Sequence, residues 1–221
     1  MDSDRKHLIV LTFGNDAPST SFRWFKFREN FANQNVEVLF TPAKGFCDFD
    51  SLERYDVVVL QKTMLPRQQV KQIRKKARRF LYDVDDRIWL RPGIPYRGWS
   101  RWKIERRMKT ICDQVDGCLS ANSWIASDLV KFGGKSSVVP MSIDSSVWHY
   151  QVPDSEPVVI GWTGGPKNLV FLEKILPAID QILRAYPGAR FVVHSGKDPE
   201  WSSIEYTYEP FIAGREPEVL S

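Results

Sequence analysis

The chain has 221 residues, of which 43% are hydrophobic and 26% charged, with a formal net charge of +4. This is ordinary material for one large or two small globular domains. No apolar run approaches the roughly 20 residues a membrane span needs, and the charged start Met1-Asp-Ser-Asp-Arg-Lys6 ahead of a short apolar run makes a poor signal peptide. Cys47, Cys112 and Cys118 show no paired spacing, and His7, His149 and His194 are scattered, so neither a disulfide framework nor a zinc site is expected. Reduced thiols in a cytoplasmic protein are the simplest account.

Strand and helix signals alternate along the chain. Leu8–Phe13 reads as a strand, followed by a turn-rich loop, Gly14 to Ser21, and a helix from about Phe22 to Asn33. Val36–Phe40 and Asp56–Gln61 are the next strands. Gln68 to Arg79 has helical spacing, with Val70, Ile73 and Ala77 inward and Arg67, Lys71, Arg74, Lys75 and Arg78 on the opposite face. Phe80–Val84 is a strand that runs into Asp85-Asp86. A loop rich in Pro and Gly, Leu90 to Gly98, leads to a helix from about Ser100 to Gln114 whose inner side is Ile104, Met108, Ile111 and Val115. Gly117–Ala121 is a strand, Ser123–Phe132 a helix closed by Gly133-Gly134, and Ser137–Met141 a further strand. Strands joined by helices imply a parallel sheet covered on both faces, with functional groups at the C-terminal ends of its strands.

Residues 142–156, with Pro153 among mostly polar residues, read as a linker between an N-terminal domain, 1–141, and a second unit, 157–221. In the second unit Val158-Val-Ile160 is a buried strand that Gly161, Gly164 and Gly165 should break, and an amphipathic helix follows Asn168. Leu172, Ile175, Leu176, Ile179, Ile182, Leu183 and Tyr186 form its apolar stripe, and Pro177 predicts a kink or break. Arg190–His194 is the next strand, and Glu216-Pro217-Glu218 looks like a helix start. The unit offers about three strands and one full helix, too few to cover both faces of a parallel sheet. The expectation is a truncated domain, or one that a partner chain completes.

A strand that ends in a glycine loop and feeds a helix is a place to hold a phosphate. The helix N-terminus is electropositive, glycines admit the backbone, and Lys167 adds a charge. Gly164, Gly165, Lys167 and Asn168 are therefore candidate diphosphate ligands. A tight turn without a ligand, with Asn168 as an ordinary N-cap, is the other reading. His194, at a strand end before Ser195-Gly196, is a candidate for the same nucleotide or a structural histidine. Asp83, Asp85 and Asp86 sit at a strand's C-terminal end. They suit acceptor-hydroxyl binding or general-base work, with Asp85 and Asp86 preferred, or a salt bridge to Arg87 or a neighbouring loop. Asn15, Ser19, Thr20 and Arg23 could bind acceptor or donor oxygens, with acceptor binding preferred, or simply cap the following helix.

From Arg67 to Lys109 there are 15 Lys or Arg against 4 Asp or Glu, so this tract carries +11 and the rest of the chain −7. It is either a solvated helix face, or a surface for anionic lipid assisted by Trp99 and Trp102, or a nucleic-acid surface. No nucleic-acid motif appears, so nucleic acid is not the expected partner.

Cys112-Asp-Gln-Val-Asp-Gly-Cys-Leu-Ser-Ala-Asn-Ser123 with Ser137-Val-Val-Pro-Met-Ser-Ile-Asp144 resembles a passage of the group 1, family 4-like glycosyltransferases. Leu81-Tyr-Asp-Val-Asp-Asp-Arg-Ile-Trp89 resembles an acidic segment found in a subset of them, and Ile160-Gly-Trp-Thr-Gly-Gly-Pro-Lys-Asn168 stands where they carry a donor-phosphate loop. The resemblance implies a GT-B-like α/β fold, with a Rossmann-like parallel-sheet acceptor domain and an incomplete Rossmann-like donor domain. It implies transfer of a sugar from a nucleotide-diphosphate sugar to a hydroxyl of a glycan or lipid-linked acceptor, with no cofactor and no metal. The protein would be cytoplasmic, peripheral on the inner membrane face if the basic tract meets lipid. By this resemblance Lys167 matches the phosphate lysine, while Trp162 replaces the usual arginine. The family's two glutamates eight positions apart have no counterpart, so the chain alone is expected to be catalytically incomplete. A non-catalytic nucleotide- or glycan-binding module, or a subunit completed by a partner, is the alternative.

Overall fold

The computed structural model describes residues 5–15, 17–90, 96–143, 145, 158–212 and 215. They belong to two compact units that divide between Ile143 and Asp144. Most of the linker expected at 142–156, the loop residues 91–95 and the helix start expected at 216–218 lie outside the described residues.

The first unit is built on six strands: β1 (Lys6–Thr12), β2 (Val36–Pro42), β3 (Val57–Gln61), β4 (Phe80–Val84), β5 (Gly117–Ser120) and β6 (Ser136–Val138). All pair in parallel, in the order β2-β1-β3-β4-β5-β6. The apolar runs dictate this. Val58, Val59 and Leu60 of β3 are fully buried, as strands covered on both faces require. Alternation along β4 sends Phe80, Tyr82 and Val84 to one face and Leu81 and Asp83 to the other.

The larger core lies on the first of these faces, under α3 (Arg67–Lys76), α4 (Gly98–Gln114) and α5 (Ser123–Lys131). Val70, Ile73, Met108, Ile111, Ile125 and Leu129 close it, each such side chain contributing about 1.5–3 kcal/mol by burial. α3 ends at Lys76, short of the expected Arg79, because Ala77 turns to extended backbone. Asn122 caps α5 through the Ile125 N–H at 3.0 Å, and Gly133, at φ +94, closes it. At Gly134 any Cβ would lie 3.2 Å from the Cys118 sulfur and 3.3 Å from Cys112 Cβ. The fold thus packs together two cysteines whose spacing suggested no pairing. The neighbouring Cys112 thiol and burial push the Cys118 pKa up.

On the other face the single helix expected from Phe22 to Asn33 is instead three pieces: α1 (Pro18–Arg23), a 3-10 turn (Phe25–Phe27) and α2 (Arg28–Asn33). Trp24, at φ −132 and ψ −54, leaves helical geometry at the joint. Its indole N–H donates to Asp83 at 2.8 Å, so a tertiary contact coincides with the break.

The second unit has three parallel strands, β7 (Val159–Gly164), β8 (Arg190–Ser195) and β9 (Thr207–Pro210), in that order. β7 is not broken at Gly161 but runs on to Gly164 in register with Ser195. The helical stretch is segmented into a 3-10 turn (Pro166–Asn168), α6 (Leu169–Leu172), a second 3-10 turn (Glu173–Ile175) and α7 (Leu176–Ala185), with Pro177 in the first turn of α7. Leu169, Leu172, Leu176 and Ile179 pack on Phe191 and Val193. Ile175, Ile182 and Tyr186 of the expected stripe are exposed. The sheet face carrying Val159, Gly161 and Thr163 is exposed as well.

Candidate functional site

Strand order reverses beside β1: the chain moves one way to β2 and the other way to β3. In open α/β sheets the crevice at the C-terminal ends of two such strands is where ligands bind. Here those ends are Thr12 and Gln61. Gln61 is buried, its Oε1 accepting the Phe13 N–H at 3.3 Å and lying 2.8 Å from the Thr20 hydroxyl. Its amide Nε2 is buried with no hydrogen-bond partner. A buried donor left unpaired costs about 1–3 kcal/mol, so it calls for an explanation, and a ligand oxygen is one.

Around it stand the loop residues expected to touch an acceptor. Thr20 is fully buried, with its hydroxyl 2.7 Å from the Gly14 carbonyl. Exposed Asn15 accepts from the Thr12 hydroxyl at 2.9 Å, and Ser19 is buried within α1. None of these side chains caps α1, whose N-cap is Ala17. Arg23 points elsewhere. Its guanidinium grips Asp83, with Nε 2.9 and 3.0 Å from the two carboxylate oxygens, and it also donates to the Val139 carbonyl at 2.9 Å. Its side chain is 4% exposed and fully engaged by these partners.

The acidic cluster divides. Asp83 faces Arg23 and Trp24, and burial pushes its pKa up against their pull. Asp85 and Asp86 share Lys62, whose ammonium lies 3.2 Å from Asp85 and bonds to Asp86. Asp85 is nearly buried and Asp86 largely exposed. Lys62 itself adopts φ +46, rare for a residue with a side chain, and its N–H donates to the Asp83 carbonyl at 2.7 Å. Arg87, a partner considered for the acidic cluster, pairs instead with Asp128. That carboxyl is lowered overall, burial being outweighed by Arg87, Lys131 and Trp89.

The second unit has a matching polar end. Thr163 Oγ1 lies 3.0 Å from His194 Nδ1. His194 is 2% exposed, and its Nε2 and the Ser195 hydroxyl are buried with no partner. The Phe211 ring stands 5.4 Å from the imidazole. Beside them Gly165 has open space where a Cβ would go, whereas a Cβ on Gly164 would lie 2.6 Å from the Trp162 ring. Gly164 is therefore required by packing, and Gly165 is not. Lys167 and Asn168 are exposed, and the Asn168 side chain makes no cap. The expected long helix with its dipole at this loop is absent, replaced by the 3-10 turn and four-residue α6.

Gln61, Lys62, Thr163 and Ser195 were not singled out from the sequence. The signal was there: each ends or immediately follows the apolar run of a parallel strand. Among the described residues no group of His, Cys, Asp or Glu could hold a metal ion.

No family model matches this chain, and no curated protein matches it. Among solved structures it is similar to an α-glucosyltransferase in complex with UDP and a 13-mer DNA containing an HMU base. The TM-score is 0.51 at 12% identity, over 87% of this chain and 57% of that one. The chain thus spans little more than half of that protein's length. The likeness shows the fold: a GT-B-like α/β architecture with two parallel sheets.

Proposed function

We propose that the chain carries an acceptor unit and donor-binding elements of a nucleotide-sugar glycosyltransferase of the group 1, family 4-like kind. The observation that carries this is the pair of unpartnered buried groups, His194 Nε2 and Ser195 Oγ, beside the open backbone of Gly165. Buried polar groups are normally paired, and a nucleoside diphosphate offers oxygens for both. The similar glucosyltransferase is bound to UDP, which supports a nucleotide-sugar donor.

In this reading Gly165, Lys167 and Asn168 meet the diphosphate, with Lys167 as its counter-charge. Asp85 accepts the proton of the attacking acceptor hydroxyl, and Lys62 holds Asp85 and Asp86 in place. Asn15 and the Gln61 amide meet acceptor hydroxyls, and buried Thr20 positions Gln61. The acceptor is a glycan or lipid-linked glycan, and the basic tract supports an anionic surface as its setting. The glycosyl group passes from the diphosphate to the acceptor oxygen, and the leaving diphosphate carries the charge that develops.

Titration calorimetry with UDP, GDP, ADP and dTDP, followed by turnover assays with the sugar nucleotides, tests this. Binding of one diphosphate, weakened about tenfold or more by Lys167→Ala with folding unchanged, is expected from the loss of a charged hydrogen bond. Absence of binding to any of them would refute the reading. Binding without turnover or hydrolysis would assign a binding module.

A further inference from the structure

α4 buries Met108, Ile111 and Cys112 against the sheet. On a face turned away from these residues, Trp99, Trp102, Lys103 and Arg106 follow at spacings of about three and four, the helical repeat that puts them in one stripe. Trp99 is 73% exposed and Trp102 45%. Their rings stack with centroids 4.6 Å apart, and the Arg106 guanidinium lies 4.8 Å over the Trp102 ring. Together with Arg67 and Arg107 they line an open groove of about 320 Å³.

Among the described residues no carboxylate pairs with Lys103, Arg106 or Arg107, nor with Lys71 and Lys75 on α3. Glu105 is taken by Arg101 and Asp113 by Lys109. Two indoles in water within a field of unneutralised cations call for a partner that is apolar at one depth and anionic at another.

We propose that this face of α4 docks on an anionic phospholipid bilayer. Trp99 and Trp102 enter the headgroup layer, where amphipathic rings are stable. Lys103, Arg106 and Arg107 meet lipid phosphates while their stems lie along the indoles. Stacking of nucleic-acid bases fits less well. The Trp102 ring is already engaged by Trp99 at 4.6 Å and by the Arg106 guanidinium at 4.8 Å, which leaves only the exposed Trp99 ring of this pair for a base, whereas single-strand binders stack successive bases on several aromatics. The inference does not depend on the proposed transferase activity.

The test is co-sedimentation of the full chain with phosphatidylcholine vesicles with and without phosphatidylglycerol, at low and high salt. Binding is expected only with phosphatidylglycerol, and is expected to weaken as salt rises. Lys103→Gln with Arg106→Gln should weaken it about 25-fold, at about fivefold per cation. Trp99→Ser with Trp102→Ser should weaken it as well. Circular dichroism and the melting temperature of these surface variants should be unchanged. Absence of phosphatidylglycerol-dependent binding would overturn the proposal. So would binding that survives both double variants, or displacement from vesicles by a single-stranded oligonucleotide.

Discussion

Arg23 of α1 and Asp83 of β4 form a buried, two-pronged ion pair 60 positions apart in the chain. Arg23 is 4% and Asp83 0% exposed at the side chain, so neither has water to fall back on. Arg23→Ala would leave a buried carboxylate without its cation. It should destabilise the first unit by about 3–5 kcal/mol, read as a lower urea midpoint. Trp24→Phe removes one hydrogen bond and should cost about 1–3 kcal/mol. Loss of acceptor binding with stability intact in Arg23→Ala would instead place Arg23 at the site.

The two loop glycines separate packing from ligand approach. Gly164→Ala drives a methyl group into the Trp162 ring and should lower stability by about 1–3 kcal/mol, the usual cost of overpacking. Gly165 sits at φ −68 with nothing near its Cβ position, so Gly165→Ala should melt as the wild type does. If a diphosphate approaches that backbone, Gly165→Ala should nevertheless weaken nucleotide binding in titration calorimetry.

Asp56 and Asp116 make the same kind of contact at two strand entrances. Asp56 accepts the His7 N–H at 2.9 Å, which holds its pKa below the ordinary 3.8. Asp116 accepts the Phe80 N–H at 2.8 Å, and with Arg74 this outweighs burial and lowers it too. The folded state therefore binds these protons less readily than the unfolded state. The stabilisation is present above pH 3.8 and is lost as pH falls through the depressed folded values. Asp56→Asn with Asp116→Asn should lower stability at neutral pH. The variant and wild-type curves should converge under acid unfolding below that range.

Tyr82 is fully buried with its hydroxyl unpaired, beside Cys112 and Cys118, and burial pushes its pKa far up. A hydroxyl without a partner gains nothing from the fold, so Tyr82→Phe should be neutral or stabilising by up to about 1–3 kcal/mol. A clear drop in thermal midpoint would show that the hydroxyl is satisfied after all.

The sequence by itself determined most local elements of the first unit, the broken Pro18–Asn33 segment excepted. The β-branched run Val57-Val-Val-Leu60 and the helical spacing of Val70 and Ile73 are properties of neighbouring residues, and pattern is enough to read them. The glycine loop and the acidic strand end were visible too, because strand ends in a parallel sheet are marked by the polar residue after an apolar run. Only the tertiary structure decided what those groups do. Asp83 belongs to Arg23, Asp85 and Asp86 to Lys62, and Gly164 to Trp162. It also left Gln61 Nε2, His194 Nε2 and Ser195 Oγ without partners. The register of a parallel sheet and the crossing of its helices fix which distant side chains meet, and those follow from packing the whole core rather than from any local spacing.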